Sequence, residues 1–563
     1  MRRVLSIVAP IAAALLVPPA GARAIPGPDS VAVLANAEVP GSVRLARRYA
    51  EARAIPDRQV CVIPMPATED VSLDVFRTSI LEPFERCLRE GGVYDRIEAV
   101  VIMRGVPLRL QFEVDGRARR VSLAAALALW QTTLPDGTPL LGRDPGREVS
   151  CGGTPCLAAA WASAYAAQPF YAGWTGTRLG VVHRPVLVTM LHGRSDADAE
   201  RLIDAALAAE DGGANGEFLF MEGADPARGV LDVEYDGVIA GLRARGLVAQ
   251  RVPFDADLRG RSLAAFFTGT ASLGATIEGN EFRPGALVDN VTSFGALPEN
   301  FRESGEVQVS IARWVARGVT GVHGTTDEPL NNCFPSRRMI LDYVDGATLA
   351  EAYFGRLPYV YWHNLVLGDA MAAPYAQRPT VTIEGLHEGE WVEGARRITV
   401  RASAAAGRVL EALALYVDGV EVARSDGAPI EHCLRLPEGE AVQVLAVATV
   451  ASDPERWGAR GWTSVRATSR PGAGECGSPD GDAGLRGDAG APGDSGTSGP
   501  PPSGGGCRAA MGDRPASLPL VLVLAALAPL AARRARQGGT VSPRSSVTAA
   551  SRAPRATRRH RSR

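Results

Sequence analysis

Residues 284–329 read PGALVDNVTSFGALPENFRESGEVQVSIARWVARGVTGVHGTTDEP. An apolar run ends in Asp289-Asn290-Val291-Thr292-Ser293-Phe294-Gly295. A helical segment follows, and a second apolar run ends in Val322-His323-Gly324-Thr325-Thr326-Asp327-Glu328-Pro329. Both runs read as strands that close on hydroxyl, carboxylate and glycine residues. In an open α/β sheet, ligands sit at the carboxyl ends of the strands, so the candidate site is placed here.

The chemistry available at these ends is limited but definite. Ser293 is the best nucleophile candidate, because Thr292 and Phe294-Gly295 around it suggest a sharp turn with exposed amides. A serine needs a base in reach, and the base needs an orienting partner. His323 is the nearest histidine at a neighbouring strand end, with Asp327 or Glu328 as orienter and the Gly269 or Gly295 amides as oxyanion donors. The elbow Gly-x-Ser-x-Gly is missing. The competing reading is that Thr292 and Ser293 bond local backbone and that His323 is structural. An oxygen-rich metal set of His323, Asp327, Glu328 and Asp289 is a further alternative, and His192 with Asp196 and Asp198 a weaker one, whose acids helix capping explains better. Trp362-His363-Asn364 reads as packing plus a turn. No cofactor is implied.

Outward from this stretch the chain alternates strands and helices. Val31–Asn36, Val60–Ile63, Ala99–Met103, 185–191, 218–221 and 263–267 are expected strands, with helices between them. Ser42 is the expected cap of the first helix and Ser195 of a later one. Residues near 110–180 break the rhythm and read as a lid or insertion. The whole predicts a mostly parallel sheet flanked by helices over residues 25–377. From 378 to 469 the period changes to two, with a turn at Asp418-Gly419, and a small immunoglobulin-like β-sandwich is expected.

The ends carry their own signals. Residues 1–24 have a basic start, an apolar core and Ala22-Arg23-Ala24, the pattern of a secretory signal. Residues 470–514 are rich in Gly and Pro and read as a disordered spacer, with glycine at every third position from Gly481 to Gly499. Residues 515–532 are apolar over a membrane-spanning length, and the arginine-rich residues 533–563 read as a cytoplasmic tail. The expectation is an exported protein held at the cell envelope, with the membrane as partner and an oxidising compartment for its cysteines. Cys151 and Cys156 enclose a short loop suited to a disulfide. Cys61 and Cys87 can pair if their elements pack together, and Cys333 reads as a disulfide cysteine. The chain has no lysine, which excludes a lysine Schiff base and a Walker-type phosphate loop. Its formal net charge of -2 gives no electrostatic case for nucleic acid.

Three resemblances add to this reading. Gly504-Gly505-Gly506-Cys507, the apolar run and the arginine cluster resemble the myxobacterial C-terminal sorting signal MYXO-CTERM. That resemblance implies processing near Cys507, surface display and a sorting-machinery partner, although here the chain continues from Arg536 to Arg563. Asn36 with Ser42 and Tyr49, Arg53-Ala54-Ile55-Pro56, Arg104-Gly105-Val106-Pro107-Leu108, Asp289–Gly295, Gly324–Pro329 and Gly368-Asp369 with Pro374 resemble a functionally uncharacterised bacterial family found in exosortase-carrying species. Ser122–Leu127 (SLAAAL) and Met190-Leu191-His192-Gly193 depart from it, each lacking an acid that the family tends to carry. The order Phe267-Thr268-Gly269-Thr270, Thr292-Ser293-Phe294-Gly295 and Val319–Gly324 is similar to that of caspase- and gingipain-like peptidases, with neither catalytic residue in its slot. Two functions follow: a non-enzymatic envelope or binding protein with a degenerate cleft, or a secreted serine hydrolase acting on peptide or ester bonds.

Overall fold

The structure is a computed structural model. It describes residues 25–476 apart from 115–116, 132–149, 152–153, 156–176, 179–180, 183–185, 213–214, 303–305, 330, 359–362, 454–455, 473 and 475. Residues 1–24, Cys156, Trp362, Cys507, most of residues 470–514, and residues 515–532 and 533–563, on which the expected signal, spacer, span and tail fall, therefore lie outside the described residues. Among the described residues no helix is long and apolar enough to cross a membrane.

Ten short strands build one sheet. They are β1 (Val31–Asn36), β2 (Val60–Ile63), β3 (Ala99–Met103), β4 (Leu187–Leu191), β5 (Glu217–Met221), β6 (Ala249–Val252), β7 (Ser262–Thr268), β8 (Glu281–Asn290), β9 (Gly321–Thr325) and β10 (Asn364–Gly368). Their spatial order is β6-β5-β7-β8-β9-β10-β4-β3-β1-β2. The pairings from β6 to β9 are parallel, as are those among β4, β3, β1 and β2, while β9 and β10 run antiparallel. Every residue of β1, β3, β4, β9 and β10 is buried, as expected of central strands covered on both faces.

The helices that cover the sheet are α1 (Pro40–Ala52), α2 (Glu82–Glu90), α3 (Asp196–Gly212), α4 (Tyr235–Ala244), α5 (Ile311–Ala316), α6 (Met339–Val344) and α7 (Leu349–Phe354). Pro83 lies in the first turn of α2, and a wider π turn over Phe76–Leu81 precedes it. Ser42 is not the cap of α1. Val39 holds that position, and the buried Ser42 hydroxyl, inside the helix, accepts a hydrogen bond from the Asn36 amide at 3.0 Å. Ser195 does cap α3, exchanging hydrogen bonds with Asp198 at 3.1 Å in each direction. Part of the irregular region forms a small side sheet, with Arg109–Val114 and Arg117–Ser122 paired antiparallel.

Eight further strands follow, in two sheets around a shared apolar core: β11 (Thr380–Glu384), β12 (Glu390–Glu393), β13 (Ala395–Ser403), β14 (Leu410–Val417), β15 (Val420–Ser425), β16 (Ile430–Arg435), β17 (Ala441–Val450) and β18 (Ala459–Arg470). One sheet is β11-β13-β16 and the other β12-β18-β17-β14-β15. The β14–β15 hairpin turns at Asp418 (φ 46°) and Gly419 (φ 73°), the left-handed pair that a two-residue hairpin loop needs.

This part is docked on the first by polar side chains. Arg460 from β18 donates to the Ser30 hydroxyl at 2.6 Å, and Tyr416 donates to Asp29 at 3.0 Å. Arg378 reaches the carbonyls of Met371 and Arg460, each at 2.7 Å, and Glu210 at 3.0 Å. Cys61 is bonded to Cys87, joining β2 to α2, and Cys433 to Cys476. Cys333 is buried beside Val291 and Phe334.

Under the sheet, Asp369 follows β10 and receives the Tyr49 hydroxyl at 2.6 Å and the Arg53 guanidinium at 2.5 Å. Arg53 also binds Glu210 at 2.7 Å. Asp369 and Arg53 are 0% and 1% exposed, so removing Asp369 takes one of the two carboxylates from a buried guanidinium and the acceptor from the buried Tyr49 hydroxyl. Asp369→Ala is therefore expected to cost about 3–5 kcal/mol, read as a lower urea midpoint. An unchanged midpoint would show that the network carries no load.

Candidate functional site

The carboxyl ends of β8 and β9 do lie side by side, as the alternation of strands and helices implied, but their side chains are committed differently. Asp289 and His323 are register partners on adjacent parallel strands, so they project on one face. His323 Nδ1 meets Asp289 Oδ2 at 2.7 Å, and its Nε2 meets Asn364 Oδ1 on β10 at 2.9 Å. Arg337, just before α6, donates to Asp289 Oδ1 at 2.5 Å and to the Thr268 carbonyl at 3.3 Å. Asp289, His323 and Arg337 are all 0% exposed. Burial alone would raise the Asp289 carboxyl, but Arg337 and His323 outweigh it and hold it below the usual carboxylate range. Phe334 and Tyr353 close over the imidazole, with ring centroids 5.6 and 6.4 Å away.

Ser293 belongs to a separate, more open arrangement. Its hydroxyl donates to Glu328 Oε1 at 2.8 Å, its amide donates to Gln308 Oε1 at 3.1 Å, and its carbonyl accepts from Thr325 Oγ1 at 2.7 Å. The Thr292 hydroxyl also donates to Gln308, and Asn300 Nδ2 donates to the Phe294 carbonyl at 2.5 Å. The expected Ser293–His323–Asp327 relay is thus replaced on every side. Both ring nitrogens of His323 are taken by Asp289 and Asn364, and Asp289 supplies the orienting carboxylate. Asp327 instead accepts from the Glu328 amide at 2.9 Å and lies 3.5 Å from Arg120. The physical reason is position along the strand: Asp289 lies within β8 and pairs with His323 of β9, while Ser293 lies beyond the end of β8.

The metal alternatives lose their ligands to the same pairings. Asp289 is shared between two cationic or hydrogen-bonding partners, Asp198 caps α3, and Asp196 is held by Arg44 at 2.7 Å and Arg104 at 2.5 Å. Among the described residues no cluster of three or more His, Cys, Asp and Glu side chains could hold a metal ion. His363 and Asn364 lie at the entry to and within a sheet strand, so the turn expected there is β10. Arg337 and Gln308 had no distinguishing sequence signal; their roles come from where distant loops return to the sheet.

The same edge extends across β3 and β4. His192, after β4, packs edge-on against Phe301 at 4.5 Å, and Arg194 lies 3.7 Å from Glu306. Arg109 clasps Asp70 at 2.5 and 2.8 Å and donates to the Thr326 carbonyl at 3.1 Å. Burial, then the nearby Arg104 charge, pushes His192 down to about 3. Burial pushes His363 down to about 4.

No protein-family model matches the chain, and no curated protein matches it. Among solved structures, the chain is similar to the fibronectin(III)-like modules of Clostridium thermocellum CbhA, with 20% identity over 16% of this chain and 99% of that one and a TM-score of 0.14. It also matches a beta-glucosidase from Listeria innocua in complex with glucose, with 10% identity, 49% of this chain, 50% of that one and a TM-score of 0.13. The spore cortex lytic enzyme SleM of Clostridium perfringens matches at 10% identity, 66% and 92% coverage and a TM-score of 0.12. The chain spans half the length of the beta-glucosidase. Likeness at these TM-scores carries no argument about this chain.

His192 gives the site a measurable pH signature. Its folded value, about 3, lies below the unfolded value of about 6.5. The stability it permits is complete above the unfolded value. It is lost as pH falls, because the unfolded chain takes up a proton that the folded chain refuses. The expected loss from this group is about 2 kcal/mol between pH 7.5 and pH 5. Urea midpoints should fall over that interval, and less so in His192→Asn. Equal pH slopes in the two proteins would contradict the assignment.

Proposed function

We propose that the protein is exported and held at the cell envelope, and that its α/β domain is a non-enzymatic binding module. The observation that carries the second half is the burial of His323 between Asp289 and Asn364, which withholds the imidazole from Ser293. The Ser293 hydroxyl is itself committed to Glu328 and its amide to Gln308. The parallel pairing of β7, β8 and β9 fits a degenerate peptidase-like cleft of caspase-like order, and the second domain fits an immunoglobulin-like sandwich that spaces the module from its anchor.

The first half rests on the apolar residues 1–24, the apolar residues 515–532 followed by arginines, and the Cys61–Cys87 and Cys433–Cys476 disulfides. Disulfides persist in oxidising compartments and are rare where thiols are kept reduced. In this reading a sorting-machinery or envelope partner acts on the C-terminal segment. The hydrolase alternative retains one observation, the Ser293–Glu328 hydrogen bond at 2.8 Å, in which an exposed carboxylate replaces the histidine.

Fractionation of cells making the full chain tests the proposal. The protein is expected in the envelope fraction, accessible to external protease, with Cys61 and Cys87 resistant to alkylation until reduced. A cytosolic protein with alkylatable Cys61 and Cys87 would overturn it.

A further inference from the structure

At the carboxyl edge of β1, β3 and β4 a side chain of the protein itself occupies a cradle of cationic and backbone donors. Asp196, the first residue of α3, turns towards the first turn of α1, where its carboxylate meets Arg44 at 2.7 Å and Arg104 at 2.5 Å. A Cβ at Gly41 would overlap that carboxylate, so the glycine is what admits it. α1 is thirteen residues long, begins with Pro40, and has no side-chain cap from Val39. A helix N-terminus without a cap favours an anion, and two guanidiniums supply the charge-assisted hydrogen bonds that carboxylates and phosphates take.

A second observation is independent of the helix. His192 is 8% exposed, and its Nδ1 has no hydrogen-bond partner among the described residues. It lies within electrostatic reach of both Arg104 and Asp196. Arg104 Nε and Arg194 Nε, in the same cluster, are also buried with no partner among the described residues. Arg104 ties the cluster together by donating to the Arg194 carbonyl at 3.4 Å. Buried polar atoms of this kind call for a partner.

Asp196 is not needed for the structural tasks nearby. Ser195 and Asp198 already cap α3. Arg48 with Glu200 at 3.0 Å, and Arg53 with Glu210 at 2.7 Å, already join α1 to α3. The Asp196 side chain is 31% exposed, so it can turn out to solvent.

We propose that this cradle binds an oxyanion group, carboxylate or phosphate, of an incoming ligand, and that Asp196 is the internal competitor the ligand displaces. The proposal rests on reading the α/β domain as a binding module and names the chemistry that module takes. Arg44 and Arg104 hold the anion, and Gly41 leaves room for it beside the first turn of α1.

Calorimetric titration of the full chain with inorganic phosphate, and separately with acetate, tests this and separates the two anion classes. Asp196→Asn is expected to bind one of them about tenfold more tightly than the parent chain. Adding Arg104→Gln to Asp196→Asn is expected to abolish that binding. Asp196→Ser is a second variant with the same expectation. No binding of either anion by a folded Asp196→Asn, or binding unaffected by Arg104→Gln, would overturn the proposal. So would loss of folding in both Asp196 variants, since Asp196 would then be a structural tie. None of these failures bears on the envelope location, which fractionation decides separately.

Discussion

Asp289 is a carboxylate at zero exposure in a ten-stranded sheet, and it is tolerable there because Arg337 and His323 both reach it. A buried charge that loses its partners costs several kcal/mol. The strand register of β8 on β9, the return of the chain before α6 and the position of β10 are therefore tied to one another through this single side chain. Asn364 completes the arrangement from β10, and Tyr353 from α7 donates to the Val288 carbonyl at 2.9 Å beside it. Asp369 plays the corresponding part below the sheet, where Tyr49, Arg53 and Glu210 converge. The sheet is thus pinned by two buried acids, each matched by an arginine. The absence of lysine suits this use: a planar guanidinium can serve two acceptors at once, which Arg53 does with Asp369 and Glu210.

This arrangement has a direct chemical consequence. A histidine that serves as a general base must be able to exchange a proton with the nucleophile. His323 has both nitrogens engaged inside the core, and Ser293 is hydrogen-bonded elsewhere. The hydroxyl and carboxylate residues at the strand ends brace the loop between β8 and α5 instead: Gln308 binds Thr292 and Ser293, and Asn300 binds Phe294.

Several elements were legible in the sequence because one physical rule decided them. Val31–Asn36 and Ala99–Met103 are continuous apolar runs, and strands covered on both faces must be apolar. Ser195 was legible as a cap because a helix-period pattern follows it directly. Two strands of the ten-stranded sheet were not. β6 is Ala-Gln-Arg-Val at the edge of the sheet, where a polar composition is permitted, and β10 follows Trp362-His363 and runs against its neighbour β9. The site was half legible. The strand ends were found, but a strand buried on both faces gives no hint of which way His323 points, and Arg337 is paired with Asp289 across 48 positions of sequence. The motif residues Tyr49, Arg53, Asp289 and Asp369 find their physical account as partners in the two buried networks.

The central claim is that His323 is locked in the core and cannot activate Ser293. Incubation of the folded full chain with a fluorophosphonate, followed by intact-mass analysis, tests it most directly, because the reagent labels a serine only when a base activates it. The account predicts no adduct at Ser293. A stoichiometric adduct that disappears in both Ser293→Ala and His323→Gln would contradict it and restore the hydrolase reading.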